Sequence, residues 1–95
     1  MREKVERIYP VVSGRMKMET ILWLSEHEHG LTLLELKKLS GYPTNYSKKD
    51  FGLDALEELG IVTKNELGRY VLTSTGKKIA LALKYIWEAL SNAEV

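Results

Sequence analysis

The stretch LEELGIVTKNELGRYVLTSTGKK, residues 56–78, decides how this chain folds. A helical leucine spacing ends at Gly60, because glycine commonly closes helices. Two β-branched and aromatic runs follow, IVTK and RYVLT, separated by the polar turn NELG. Thr73 or Ser74 can then cap a new helix. The stretch predicts a β-hairpin between two helices, and because two strands alone are unstable, the hairpin must pack against helices.

Two helices are predicted ahead of this stretch. The first opens after Gly14 and ends at Gly30, which can adopt a left-handed cap. Its inward side is expected to carry residues at helical spacing, namely Met18, Ile21, Leu22, Leu24 and Ser25. In the second helix, Thr32 and Glu35 have capping-box spacing, so both side chains can bond to free amides of the first turn. Gly41 closes this short helix.

A third helix is predicted from about Asn45 or Ser47 to residue 59. Ser47 and Asp50 repeat the capping-box spacing, and leucines then recur every three residues. An ideal helix extended back from those leucines would bury Lys49 and Gly52. Either the first turn is irregular, or the helix begins later than its caps suggest.

The two ends of the chain complete a single domain, residues 1–95. Residues 1–13 form an N-terminal arm or a short helix that Pro10 would end. Residues 14–73 supply the core and the hairpin, and residues 74–92 form a C-terminal helix. The fold class is therefore α+β, mainly α.

Composition limits the possible functions. The formal charge is only +1, so nucleic-acid binding would depend on where the charges lie. Cysteine is absent, which excludes disulfides and thiolate metal sites. The apolar runs are too short for a membrane span and MREKVERIYP is too charged for a signal peptide, so we expect a cytoplasmic protein.

Catalytic and metal chemistry have little support in the sequence. There is no Gly-rich phosphate loop and no recognisable nucleophile–base set, so we expect no enzymatic activity and no cofactor. His27 and His29 lie two residues apart, where helical side chains diverge, and no third ligand is evident. An exposed helix end is the simpler interpretation.

Three segments together resemble a winged helix-turn-helix transcription regulator of the broad group that includes MarR, PadR and ArsR proteins. METILWLSEHEHGLTLLELKKLSG resembles a first helix, a short edge strand and a second helix. LDALEELGIV is similar to the end of a recognition helix running into the wing, and RYVLTSTGKKIA to the returning wing strand and the last helix. The resemblance implies a three-helix core, a β-hairpin wing and a C-terminal helix. One departure is that the segment between Gly41 and Leu53 is a residue or two longer than usual.

The resemblance implies double-stranded DNA as the partner, with the third helix in the major groove and the wing on adjacent phosphates or the minor groove. Polar and cationic side chains at these elements would then bind DNA. The candidates are Lys37, Lys38, Thr44, Asn45, Tyr46, Ser47, Lys48, Lys49, Lys64, Asn65 and Arg69. A solvated charged face is the alternative for the lysines, and the core is the alternative for Tyr46. Tyr70 and Leu72 are expected in the core.

The C-terminal helix has an apolar sector too broad for one buried face, which suggests a homodimer. The candidate interface residues are Val5, Ile8, Ile79, Leu83, Ile86, Trp87 and Leu90.

The first hypothesis is therefore a homodimeric, sequence-specific DNA-binding repressor or activator without a small-molecule ligand. The acidic residues Asp54, Glu57 and Glu58 support an alternative, a winged-helix module for protein–protein contacts. A nonspecific chromatin-like protein is less attractive, because such proteins carry more positive charge.

Overall fold

The computed structural model describes residues 1–93 and has five helices and one two-stranded antiparallel sheet there. This confirms the α+β, mainly helical class. In chain order the elements are α1 Arg2–Val12, α2 Arg15–Ser25, α3 Leu33–Ser40, α4 Leu53–Glu58, β1 Val62–Lys64, β2 Tyr70–Leu72 and α5 Ser74–Ala93.

The predicted hairpin is present. Strands β1 and β2 pair in antiparallel register, with Val62 opposite Leu72 and Lys64 opposite Tyr70. The Asn65 side chain organises the turn, because its Oδ1 accepts hydrogen bonds from the amides of Leu67 and Arg69 at 2.9 and 3.0 Å. Leu31 exchanges two backbone hydrogen bonds with Tyr70, at 3.1 and 2.8 Å. The segment before α3 therefore forms an antiparallel β-bridge with β2.

The core lies between the helices and the hairpin. Buried side chains come from every element except α1, which has none. They are Ile21, Leu24, Leu31, Leu36, Phe51, Leu53, Leu56, Ile61, Val62, Tyr70, Leu72 and Ala80. Tyr70 and Leu72 lie in the core as predicted. Burying one large aliphatic or aromatic side chain contributes about 1.5–3 kcal/mol, so this cluster is what holds the hairpin against the helices.

Two predicted helix starts are confirmed. Thr32 and Glu35 form the capping box of α3, with hydrogen bonds of 3.1 and 2.9 Å, and Gly41 closes α3 in a left-handed conformation. Thr73, rather than Ser74, caps α5, because its Oγ1 accepts the amide of Gly76 at 3.1 Å.

The predicted end of α2 at Gly30 is wrong. The helix ends at Ser25, and residues 26–29 form turns. Gly30 closes these turns by donating its amide to the His27 carbonyl at 2.9 Å. Its φ of +87° and its close approach to Tyr70 leave no room for a side chain.

The predicted start of α4 near Asn45 or Ser47 is also wrong. Ser47 and Asp50 do form a reciprocal pair, with Asp50 Oδ2 accepting the Ser47 amide at 2.7 Å, but the pair closes a turn and no helix follows directly. Gly52 lies in the left-handed region at φ +72°, which interrupts helical geometry before Leu53.

The N-terminal segment forms helix α1, Arg2–Val12, rather than an extended arm, and Pro10 lies inside this helix rather than ending it. Only two helical residues follow the proline, so one backbone hydrogen bond is missing near an end that frays in any case. The Lys17 ammonium donates to the Pro10 carbonyl, which satisfies one acceptor of the last turn. None of the helices within residues 1–93 combines the length and the apolar character that a membrane crossing requires.

Candidate functional site

The outer side of α4 carries acids, and Lys48 neutralises two of them. Its Nζ lies 3.2 Å from Asp54 Oδ1 and 2.6 Å from Glu57 Oε1. The hydrogen bonds to Glu57 and Asp54 raise the pKa of the Lys48 ammonium above its ordinary value. Lys48 therefore ties the segment before α4 to α4 itself, and its charge is already shared with two carboxylates.

Tyr70 joins this segment to the hairpin. Its ring lies in the core, with Lys48 Nζ 5.8 Å and Lys64 Nζ 5.4 Å from the ring centroid. Both distances are short enough for a cation–π interaction. Lys48 of the loop and Lys64 of β1 therefore both lie beside the ring of Tyr70.

The loop between α3 and α4, residues 41–52, is ordered by an aromatic cluster. Tyr42 and Tyr46 stack with ring centroids 5.2 Å apart, and Phe51 meets both rings edge-on. The buried hydroxyl of Thr20 donates to the Phe51 carbonyl at 2.8 Å, which fixes the end of the loop to α2. Tyr46 is half-buried in this cluster, so it is largely a packing residue rather than a free contact.

Glu19 fixes the other end of the same loop. The Tyr42 hydroxyl donates to Glu19 Oε2 at 2.5 Å, and this hydrogen bond raises the pKa of Tyr42. Glu19 also lies 3.6 Å from Arg15, one helical turn earlier. At the Ser47 turn, the hydrogen bond from the Ser47 amide lowers the pKa of Asp50.

We call the five predicted lysines of α3, the loop and β1 the basic tract: Lys37, Lys38, Lys48, Lys49 and Lys64. Lys37 donates to the Thr44 carbonyl at 2.8 Å, so the end of α3 contacts the loop that carries Lys48 and Lys49. Lys38, Lys49 and Lys64 are exposed, and within residues 1–93 none of the three lies in an ion pair. The exposed side chains of Thr44, Asn45 and Ser47 border the tract.

Arg69 and Asn65 have structural partners instead. Arg69 Nη1 lies 2.8 Å from Glu35 Oε1 and donates to the Gly30 carbonyl at 3.1 Å, so it ties β2 to the start of α3. The Asn65 side chain is used by the turn of the hairpin. The role of Arg69 is not visible in the sequence, because both of its partners lie more than thirty residues away.

The predicted interface residues lie on α1 and α5. Val5 and Ile8 of α1 are 55% and 57% exposed, while Ile86, Trp87 and Leu90 of α5 are 51%, 69% and 60% exposed. Ile79 and Leu83 are half-buried and pack on the core. An open, largely apolar groove of about 700 Å³ separates α1 from α5. Sequence reasoning missed its other apolar walls, Pro10, Val11, Val12, Leu59, Ile61 and Ala82, because only the fold brings these residues together.

The histidines give no sign of a metal centre. His27 is half-buried after α2 and His29 is exposed, and residues 1–93 hold no cluster of three His, Asp or Glu side chains that could bind a metal ion.

Comparison with known proteins identifies no relative of this chain. No protein-family model matches the chain, and no curated protein and no solved structure shows significant similarity to it.

Proposed function

We propose that the chain is a winged-helix protein that binds double-stranded DNA as a homodimer and regulates transcription. The basic tract carries this proposal, because Lys37 of α3 contacts the loop at Thr44, and Lys48 of the loop and Lys64 of β1 both lie beside Tyr70. In this assignment α4 is the recognition helix and the hairpin is the wing.

The lysines of the tract have the chemistry that phosphate recognition needs. Lys38, Lys49 and Lys64 are exposed and lie in none of the ion pairs within the described residues, so DNA phosphates can bind them without breaking a salt bridge. Each such contact releases a condensed counterion, which makes the affinity fall with salt. A net charge of +1 does not oppose this, since the local charge is what DNA meets.

The acids of α4 set the expected geometry. Asp54 and Glu57 are paired with Lys48, which lowers their repulsion toward phosphate. Helix α4 spans only Leu53–Glu58, so the loop before it supplies most of the surface that would face the groove. Base-edge contacts are therefore expected from the exposed side chains of Thr44 and Asn45, which can donate and accept hydrogen bonds, whereas the Ser47 hydroxyl already donates to Asp50.

Protein–protein recognition by the same surface is the second candidate. The exposed acid Glu58 and the paired acids beside it favour this function. DNA binding and protein recognition differ in one simple property, since even nonspecific DNA binding is strong at low salt.

A fluorescence-anisotropy titration of mixed-sequence duplex DNA at low salt, followed by selection of bound duplexes from a random pool, tests the proposal. We expect salt-sensitive binding to the mixed duplex and enrichment of a near-palindromic sequence with two half-sites about one DNA turn apart. Absence of any binding at low salt would reject DNA as the partner and favour the protein-recognition candidate.

A further inference from the structure

A second cavity, which we call the cleft, lies between the end of α2, strand β2 and the first half of α5. Its volume is about 530 Å³. None of the residues that line it belongs to the basic tract or to the predicted dimer interface. Successive helical residues are rotated by about 100°, so Lys77 and Lys84 project from the side of α5 roughly opposite Ile86. The cleft is therefore a surface that the proposed function does not use.

The floor of the cleft is apolar. Leu24, Leu72 and Ala80 are buried there, and Val71 is half-buried beside them. At the rim, Leu81 of α5 lines the cleft and is 67% exposed. An occupant that fits this cleft needs an apolar side chain, because such a group removes the floor and Leu81 from water.

The α5 side of the cleft is cationic. Lys77 and Lys84 both line it, and within residues 1–93 neither lies in an ion pair. Glu28 and His27 line it too, but they belong to the turns after α2 rather than to α5. The two lysines are therefore free to pair with carboxylates of an occupant along α5.

The spacing of these side chains selects a helix as the occupant. Lys77, Leu81 and Lys84 stand at i, i+4 and i+7, so they share one face of α5. Seven residues span two turns, about 10.5 Å along the helix axis. A small anion in the cleft cannot reach both ammonium groups over that span and also cover the leucine between them. A second helix, with acids at the same spacing, can do both.

We propose that the cleft is the docking site for an acidic amphipathic helix of another protein. Carboxylates at positions i and i+7 of that helix pair with Lys77 and Lys84, and an apolar side chain at i+3 or i+4 covers Leu81 and enters the cleft over Leu72. An apolar helix face laid into a hydrophobic groove is a common mode of peptide recognition. Because the cleft shares no residue with the basic tract, the helix can dock while DNA is bound, and the proposal goes beyond the proposed function without depending on it.

The test uses a fluorescein-labelled, alanine-based synthetic peptide, with glutamates seven residues apart and leucines at the two intervening helical positions. Its binding to the whole chain is measured by fluorescence anisotropy. We expect salt-sensitive binding, which Lys77→Glu combined with Lys84→Glu weakens at least about 10-fold, since like charges then face each other. Leu81→Ala should also weaken it while leaving every charge in place.

Two controls separate a docking site from general electrostatic attraction. Lys78→Glu combined with Lys4→Glu makes the same change in net charge at exposed positions outside the cleft, and should leave the affinity unchanged. A peptide with lysines in place of its glutamates should bind the Lys77→Glu, Lys84→Glu variant and not the natural chain. This rescue would not occur if the substitutions merely damaged the fold.

Amide chemical-shift mapping locates the bound peptide. We expect shifts in residues 24–28, 71–72 and 77–84, and none at Lys38, Lys49 or Lys64. Each of three results would overturn the proposal: no peptide binding at several hundred micromolar, equal loss of affinity in the two double variants, or shifts of the cleft residues with decanoate but not with the peptide. The last result would make the cleft a small-molecule site. Failure of the proposed function is distinct, since it would abolish binding to duplex DNA and leave peptide binding intact.

Discussion

Gly76 lies where α5 touches the backbone just before β1. A methyl group at this position would lie 2.1 Å from the Ile61 carbonyl oxygen, which is backbone and cannot move aside easily. Glycine inside a helix normally costs about 1 kcal/mol relative to alanine. Its presence here is explained by the close approach of α5 to the hairpin.

Gly76→Ala should therefore destabilise the fold even though alanine favours helix. We expect a decrease of about 1–3 kcal/mol in the free energy of unfolding, the range for inserting a methyl group into a packed site. Urea denaturation measures it, with Thr75→Ala at the exposed neighbouring position as the control. A more stable Gly76→Ala variant would show that α5 is not packed against Ile61.

Glu35 links the start of α3 to β2. It accepts the Thr32 amide at 2.9 Å and lies 2.8 Å from Arg69 Nη1. The backbone hydrogen bond from Thr32 is the largest cause of the lowered pKa of Glu35, and Arg69 lowers it further. A lowered pKa means that the stabilisation is present above the ordinary value of 4.5 and disappears as the pH falls through the lowered value.

Glu35→Gln should lower the melting temperature at pH 7 and have progressively less effect as the pH falls below about 4.5. Glutamine can still cap the helix but lacks the charge that pairs with Arg69. Melting curves of both proteins from pH 7 to pH 3 measure this, with Glu58→Gln as the control. A difference that stays constant with pH would mean that the Glu35 charge does not stabilise the fold.

At the level of elements, Lys17 joins α1 and α4 through α2. Its ammonium donates to the Pro10 carbonyl, and its stem lies over Gly52, where a methyl group would be 2.5 Å from the Lys17 Cγ. Helix α1 has no buried residue, so this side chain and the packing of Val11 are its main attachments to the body.

Lys17→Met should loosen α1 while leaving the rest of the chain folded. The methionine keeps an apolar stem over Gly52 but cannot donate to Pro10. Hydrogen–deuterium exchange should become faster in residues 2–12 and stay unchanged in β1 and β2, because weakly packed segments open locally. Lys4→Met, on the exposed part of α1, is the control. If hydrogen–deuterium exchange in residues 2–12 is equally fast in the two variants, Lys17 does not anchor α1.

Several elements defined by local patterns were predicted correctly from the sequence. The Thr32–Glu35 box, the helix end at Gly41 and the turn of the hairpin each depend on residues within four positions of one another. Neighbouring residues therefore determine their geometry, and the structure confirms all three predictions.

The start of α4 could not be predicted in the same way. Ser47 and Asp50 make the predicted local pair, but the stacking of Tyr42 on Tyr46 and the burial of Phe51 hold the loop in turns. The contacts of Lys48 with Glu57 and of Arg69 with Glu35 are equally nonlocal. The sequence indicated which lysines lie near the third helix, but not that one of them is already paired.

For the whole molecule, charge distribution matters more than total charge. The chain carries a formal +1, but lysines outside the ion pairs of residues 1–93 occur both in the basic tract and on α5, where Lys77 and Lys78 are exposed and Lys84 is half-buried. This second group provides a matched set for testing the tract, because equal numbers of charges can be removed at either place.

The most direct test compares two triple variants in DNA binding as a function of salt. One carries Lys38→Gln, Lys49→Gln and Lys64→Gln, and the other carries Lys77→Gln, Lys78→Gln and Lys84→Gln. We expect the first to weaken binding and to lower the magnitude of the slope of log K against log salt by about 0.9 for each phosphate that the variant no longer neutralises, while the second keeps the slope of the natural chain. Equal slopes for the two variants would contradict the assignment of the basic tract as the DNA-binding surface.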